Sequence, residues 1–275
     1  MIRRMNLLAS MHNTLLRWGR GVLSAWGAWW QVLFIGAEIV VLSLSPSSYD
    51  EPEERRAVMA HIYRASAPLL TWFLVLSALV SLVLIRIVVA TAASYGLSQY
   101  AIEVLVRTLV LELIPLYAAL FVALRHAMPD AQQVRALLAR RRPVATAPDA
   151  PDALATVALA LFPRALASGL AVLLLAGLAG VTALVLAYLT VYGFSPWGLP
   201  AYTHAVGGIF SPAVGLIFAL KTGLFALAVA VVPLAAAARP DAAGRFRRQS
   251  DMASFARLFS ALLLIEVGSL LGNYA

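Results

Sequence analysis

The stretch RTLVLELIPLYAALFVALR, Arg107–Arg125, decides how the chain is read. It is a run of membrane-grade apolar residues with a carboxylate, Glu112, near its middle and Pro115 three residues later. A charged side chain at the centre of a membrane helix costs about 2.5–3.5 kcal/mol on insertion scales, so such a residue faces a partner, water or a substrate. Pro115 has no N–H to donate, which leaves the carbonyl of Leu111 without its usual helical partner and opens a possible kink beside Glu112.

Composition agrees with a membrane setting. The 275 residues are 62% hydrophobic and 12% charged, where a soluble domain has about a quarter of its residues charged. There is no cysteine, which removes disulfides, thiolate metal sites and a cysteine nucleophile. The net charge of +8 is positive-inside bias rather than a nucleic-acid signature, because the basic residues sort by loop.

Five apolar segments have the roughly 20 residues needed to cross the hydrocarbon: 66–92, 101–124, 165–192, about 207–238, and 254–272. None alternates with period two, so helices rather than barrel strands are expected. The segments 93–100, 193–206 and the tail after Gly272 hold no Lys or Arg. The segment 125–164 carries Arg125, Arg135, Arg140, Arg141, Arg142 and Arg164, and the connector after Ala238 is also arginine-rich. The positive-inside rule places the arginine-rich connectors in the cytoplasm and the C-terminus outside, with Tyr192, Trp197 and Tyr202 as an outer aromatic belt.

Residues 21–45 are long enough to span, but crossing would put Arg3, Arg4, Arg17 and Arg20 outside. Residues 1–45 are therefore expected to form an interfacial or re-entrant helix region, with Trp18, Trp26, Trp29 and Trp30 at the headgroup boundary. Residues 46–64, with acids from Asp50 to Glu54, read as a solvated cytoplasmic linker, and 65–275 as the five-span domain. The expected fold is thus an all-α integral membrane protein: an N-terminal interfacial helix plus five transmembrane helices.

The intramembrane charges are the candidate site. Lys221 in the fourth segment is the natural partner of Glu112, and Glu266 in the last segment could complete a cluster; an ion pair that only locks helix packing is the alternative. Arg86 could meet lipid phosphate or snorkel outward, and Arg107 could pair with Glu103 one turn away. Asp130 could start a short helix after Pro129, and 152–162 a second one. No Gly-rich phosphate loop or HExxH signature occurs, so neither nucleotide binding nor zinc chemistry is expected of this chain.

Four short motifs carry a resemblance to a family. Glu112-Leu113-Ile114-Pro115 with Ala119, Leu120 and Arg125 resembles the "ELGPxxxALxxAGR" of MlaE/YrbE-type permeases of Mla and Mce lipid-transport ABC systems. Pro163-Arg164 with Gly169 is similar to that family's "PRFWAG", Leu220-Lys221-Thr222 to its "IKS", and Glu266 to the acid of its last span. The resemblance covers about residues 60–273.

It implies a multi-pass bacterial inner-membrane permease with a periplasmic C-terminus, a homodimer or permease heterodimer moving a phospholipid-like molecule. It also implies a cytoplasmic ABC ATPase that binds the ATP and Mg, a periplasmic MCE-domain partner, and no cofactor on this chain. Glu112, Lys221, Glu266 and Arg86 would line the cavity, and Arg125, Asp130, Arg135 and Arg164 would lie in the ATPase-coupling segment 125–164. That segment departs from the family pattern: 126–162 is Arg-rich and then Pro/Ala/Asp-rich where the family has small and acidic residues. A non-transporting assembly subunit is the alternative this motivates, and a membrane-embedded lipid enzyme a more distant one.

Overall fold

The computed structural model describes residues 30, 32–43, 45, 52–140, 151–238 and 251–274. Trp18, Trp26, Trp29 and the basic N-terminus, the first part of the linker, residues 141–150 and most of the connector after Ala238 lie outside the described residues. All secondary structure among the described residues is helical. The order is α1 (Val32–Ser43), α2 (Pro52–Ser94), α3 (Ala101–Leu105), a π-helical stretch (Val106–Leu113), α4 (Ile114–Val122), a second π turn (Ala123–Ala127) and α5 (Met128–Arg140). Then come α6 (Pro151–Tyr192), α7 (Leu199–Ile209), α8 (Pro212–Ala238) and α9 (Asp251–Tyr274).

Five described helical runs are long and apolar enough to cross a membrane: Val58–Ser94, Ser98–Leu137, Leu161–Tyr192, Pro212–Ala238 and Met252–Gly272. The apolar α1 is described over Val32–Ser43. Its Ile35 and Ile39 are buried in a cluster with Ala131 and Val134 of α5, Leu161 and Ala165 of α6, and Val231 and Leu234 of α8. Gly36 permits this approach, since a Cβ there would stand 3.3 Å from Val231 Cγ1. The helix thus lies against the end of the bundle that bears the arginine-rich connectors.

Several boundaries differ from the sequence expectation, for identifiable reasons. Residues 52–64, read as linker, belong to α2, where Val58 and Ala65 are buried and give the polar segment something to pack on. The short helix expected at Pro129-Asp130 is α5, with Asp130 in its first turn, but it continues the helical path from Ala101 through two widened turns rather than standing apart. Likewise 152–162 is the beginning of α6, which continues through Pro163. At 42 residues α6 is about 63 Å long, twice the hydrocarbon thickness, so its first turns project beyond it. The fourth span starts at Pro212 rather than near Gly207. Phe210 leaves helical geometry (φ −81°, ψ 57°), Pro212 opens α8, and the Ser211 hydroxyl accepts from Val214 N at 3.4 Å as its cap.

Helix α6 is the spine, packed against α2, α4 and α8. Its buried face is small: Ala167, Ala171, Ala176, Ala179, Ala183 and Ala187 are all inaccessible or nearly so. Without a hydrophobic drive between helices in lipid, close van der Waals approach of small residues supplies the association. Gly169 shows how close it is, with a virtual Cβ 3.6 Å from the Ala226 carbonyl of α8. At the charge-poor end the aromatic belt is physical packing: Tyr188, Tyr192 and Tyr202 stack edge and face within 5.3–6.2 Å. Burial, with a smaller effect of Tyr192, pushes the Tyr202 phenol up to about 12, so it stays protonated and donates to the Leu184 carbonyl at 2.8 Å. Trp197 and Phe194 instead project from this end almost fully exposed.

Candidate functional site

The site is built where three spans meet. Glu112 comes from the π-helical stretch, Lys221 from α8 and Glu266 from α9. The Lys221 ammonium donates to Glu112 Oε2 and, at 3.3 Å, to the carbonyl of Leu111. It also stands 2.9 Å from Glu266 Oε2. The side chains of Lys221, Glu112 and Glu266 retain 2%, 10% and 14% of their exposure, so all three ionisable groups are withdrawn from solvent. The contact to Glu266 is an ion pair whose angles fall short of a hydrogen bond, and Glu266 Oε2 has no hydrogen-bond partner.

The local sequence explains the geometry. Pro115 cannot serve the carbonyls one turn before it, and the helix there widens, with Ile114 N–H bonding back to the Leu109 carbonyl. The carbonyl of Leu111 is then free to accept from Lys221. The ammonium thus hydrogen-bonds the backbone carbonyl of Leu111 and one carboxylate, and pairs by charge with the second carboxylate. Phe225, one turn along α8, places its ring 5.8 Å from Nζ and covers the cation from the protein side. Val214, Ile217, Phe218 and Ser269 wall a small cleft over Glu112 and Lys221, with about 180 Å³ of empty space including its open mouth.

Of the residues expected to share this cavity, Arg86 does not join the triad. It lies exposed on α2, whose buried positions there are Ser81 and Ile85. Arg107 is held 3.1 Å from Glu103 on its own helix, also outside the triad. Pro115 is buried beside the widened turn.

The second set falls at the basic end. Arg164 of α6 donates to Asp130 of α5 at 2.5 Å, joining the two helices that leave the bundle there. Asp130 and Arg135 are buried, whereas Arg125 is exposed. His61 of α2 and His126 lie within electrostatic reach of this pair, a feature that scattered single histidines in the sequence did not signal. A second missed contact is the Ser77–Tyr117 hydrogen bond of 2.6 Å, which ties α2 to α4 beside the Phe73, Tyr117 and Phe121 rings. No group of three metal-ligating side chains occurs among the described residues.

Five apolar helical runs long enough to cross a membrane, around a charge cluster withdrawn from solvent, define a multi-pass membrane protein. Residues 58–267 match the family model "Permease MlaE", and the chain belongs to this permease family. It is accordingly a permease component of a lipid-transport ABC system in the inner membrane. No curated protein and no solved structure matches the chain.

Proposed function

We propose that the chain is the membrane subunit through which a phospholipid-like molecule passes, driven by a cytoplasmic ABC ATPase and delivered to or from a periplasmic MCE-domain protein. Two permease chains, identical or sister, enclose the lipid path, and the C-terminus lies on the periplasmic side. ATP and Mg belong to the ATPase, and this chain carries no cofactor. The observation that carries the reading is the Glu112–Lys221–Glu266 triad beside a cleft, within the residues that match the permease family. Rigid-body movement of α8 and α9 against the π-helical stretch would change the triad and the cleft together, and so couple lipid contact to the ATPase cycle.

At the other end, Asp130, Arg164, Arg135 and Arg125 serve the ATPase contact. The Asp130–Arg164 bridge holds α5 and α6 as one unit, so a push on either helix is transmitted to both. The departure of 126–162 from the family pattern favours a second reading, a non-transporting assembly subunit. Affinity purification from native membranes separates the two. The first reading expects an ATPase to copurify and its hydrolysis to rise with added phospholipid. A complex without an ATPase, or with hydrolysis indifferent to lipid, refutes it.

A further inference from the structure

Arg86 is the charge that the triad leaves unused. Ser81 and Ile85 of α2 are fully buried against the bundle, and one further residue is a helical step of about 100°, which carries Arg86 round to the open face. Leu79, Leu82 and Val83 precede it by one to two turns on that face and are exposed, within a run long and apolar enough to cross a membrane. A guanidinium keeps its charge and is costly in hydrocarbon, so it has to reach water or an anion. Among the described residues no carboxylate pairs with Arg86. Arg107, the guanidinium of the next span, is already held by Glu103.

The same face changes character beyond Arg86. Ala90 and Ala93, one and two turns on, are exposed and carry only methyl groups. The Cα–Cβ bonds of a helix tilt toward its N-terminus, so a side chain reaching for the C-terminal end has to fold back over the following turn. Bulky side chains there would block that path, and two alanines leave it open. From Arg86 to Ser94, where α2 ends, is eight residues, about 12 Å along the axis. A long side chain extending outward and a headgroup drawn inward close that distance from both sides. Residues 87–100 hold no Lys or Arg, so no cation of α2 or of the turn after it lies nearer to that headgroup.

We propose that Arg86, with Ala90 and Ala93, forms a surface site for an anionic phospholipid in the leaflet at the charge-poor end. The guanidinium takes the phosphate bidentately, the glycerol lies over the two alanines, and an acyl chain runs along Leu82, Val83 and Leu79. The site is on the outside of the bundle, separate from the triad, and does not depend on what the chain transports. An anionic headgroup is preferred because Arg86 has no carboxylate of its own, whereas a choline headgroup sets its own cation beside the phosphate.

The test exploits the absence of cysteine from the chain. A single cysteine, Ile87→Cys beside Arg86 or Val185→Cys on α6, carries a bimane label; both positions are exposed and lie seven residues before the charge-poor end of their helix. The labelled chain is reconstituted in phosphatidylcholine vesicles containing phosphatidylglycerol or phosphatidylcholine with a nitroxide near the glycerol end of one acyl chain. At Ile87→Cys, half-quenching should need about fivefold less nitroxide phosphatidylglycerol than nitroxide phosphatidylcholine, the scale of one arginine meeting an anionic lipid. At Val185→Cys the two lipids should quench alike. Arg86→Gln should abolish the difference at Ile87→Cys, and Arg86→Lys, which keeps the charge, should retain most of it. Equal quenching at Ile87→Cys with Arg86 intact, or a preference that survives Arg86→Gln, overturns the site. So does the absence of quenching at Ile87→Cys by either lipid while Val185→Cys is quenched, since another protein surface then covers this face of α2.

Discussion

Replacing Lys221 with methionine should damage the protein more than replacing either of its carboxylate partners. Methionine keeps the volume and the apolar stem but removes the ammonium. Glu112, Glu266 and the Leu111 carbonyl then lose their shared donor at once. The two carboxylate oxygens that had bracketed one nitrogen become a repelling pair. At about 4 Å and an effective dielectric of about 20 their repulsion is about 4 kcal/mol. Removing one member of a buried ion pair costs about 3–5 kcal/mol by a separate route, so the two estimates agree. Glu112→Gln, in contrast, leaves Lys221 paired with Glu266 and keeps a hydrogen-bond acceptor, and Glu266→Gln leaves the Lys221–Glu112 bond.

Each of those single changes should therefore cost about 1.5–3 kcal/mol, the net contribution of a hydrogen bond involving a charged group. The assay is thermal unfolding of the purified protein followed by intrinsic tryptophan fluorescence. At about 2–4 °C per kcal/mol, Lys221→Met should lower the midpoint by about 6–20 °C. Adding Glu112→Gln and Glu266→Gln to Lys221→Met should recover most of that loss, because no uncompensated charge is then left inside. If Lys221→Met is milder than Glu112→Gln, or if the triple variant is as unstable as Lys221→Met alone, one ammonium does not hold two carboxylates.

Three further outcomes follow from other contacts. Asp130→Ala and Arg164→Ala, combined in a double-mutant cycle of midpoint temperatures, should show a coupling of about 1–3 kcal/mol, since the bridge is partly buried; simple additivity would mean the helices do not depend on it. Gly36→Leu should overpack α1 against Val231 at a cost of about 1–3 kcal/mol and expose Ile35 and Ile39, read as faster labelling of Ile35→Cys by a thiol reagent; Gly36→Ala should be tolerated far better. Tyr202→Phe should cost about 1 kcal/mol for the lost bond to Leu184. The intact phenol, pushed up to about 12, should contribute nothing below about pH 11 to the 295 nm titration difference between wild type and Tyr202→Phe, whereas a difference appearing near pH 10 would place it in water.

The sequence carried the class of the protein because its physics is local. A span is recognisable from a run of apolar side chains, and a side of the membrane from where arginines collect. The charges at Glu112, Lys221 and Glu266 stood out because each is costly in its own segment. The Leu111 carbonyl was also legible, since Pro115 announces a missing donor wherever it sits. What could not be read locally were the continuations. Residues 52–64 look solvated by composition, but helix propagation from α2 and burial of Val58 and Ala65 keep them helical. The break at Phe210–Ser211 lies inside an apolar run, and only its backbone geometry and the Ser211 cap reveal it.

The sequence by itself determined that this is a helical membrane protein with five apolar segments long enough to cross, and that charges there need partners. The cost of desolvating a charge is a property of the residue and its surroundings along the chain. Only the tertiary structure decided which charges meet. Arg86 and Glu112 are equally conspicuous in sequence, but the rotation of α2 about its axis turns Arg86 outward, while the widened turn before Pro115 faces Glu112 toward Lys221 and Glu266. Helix rotation and span-to-span contact arise from packing along the whole of α6. No window of sequence records which two faces will touch.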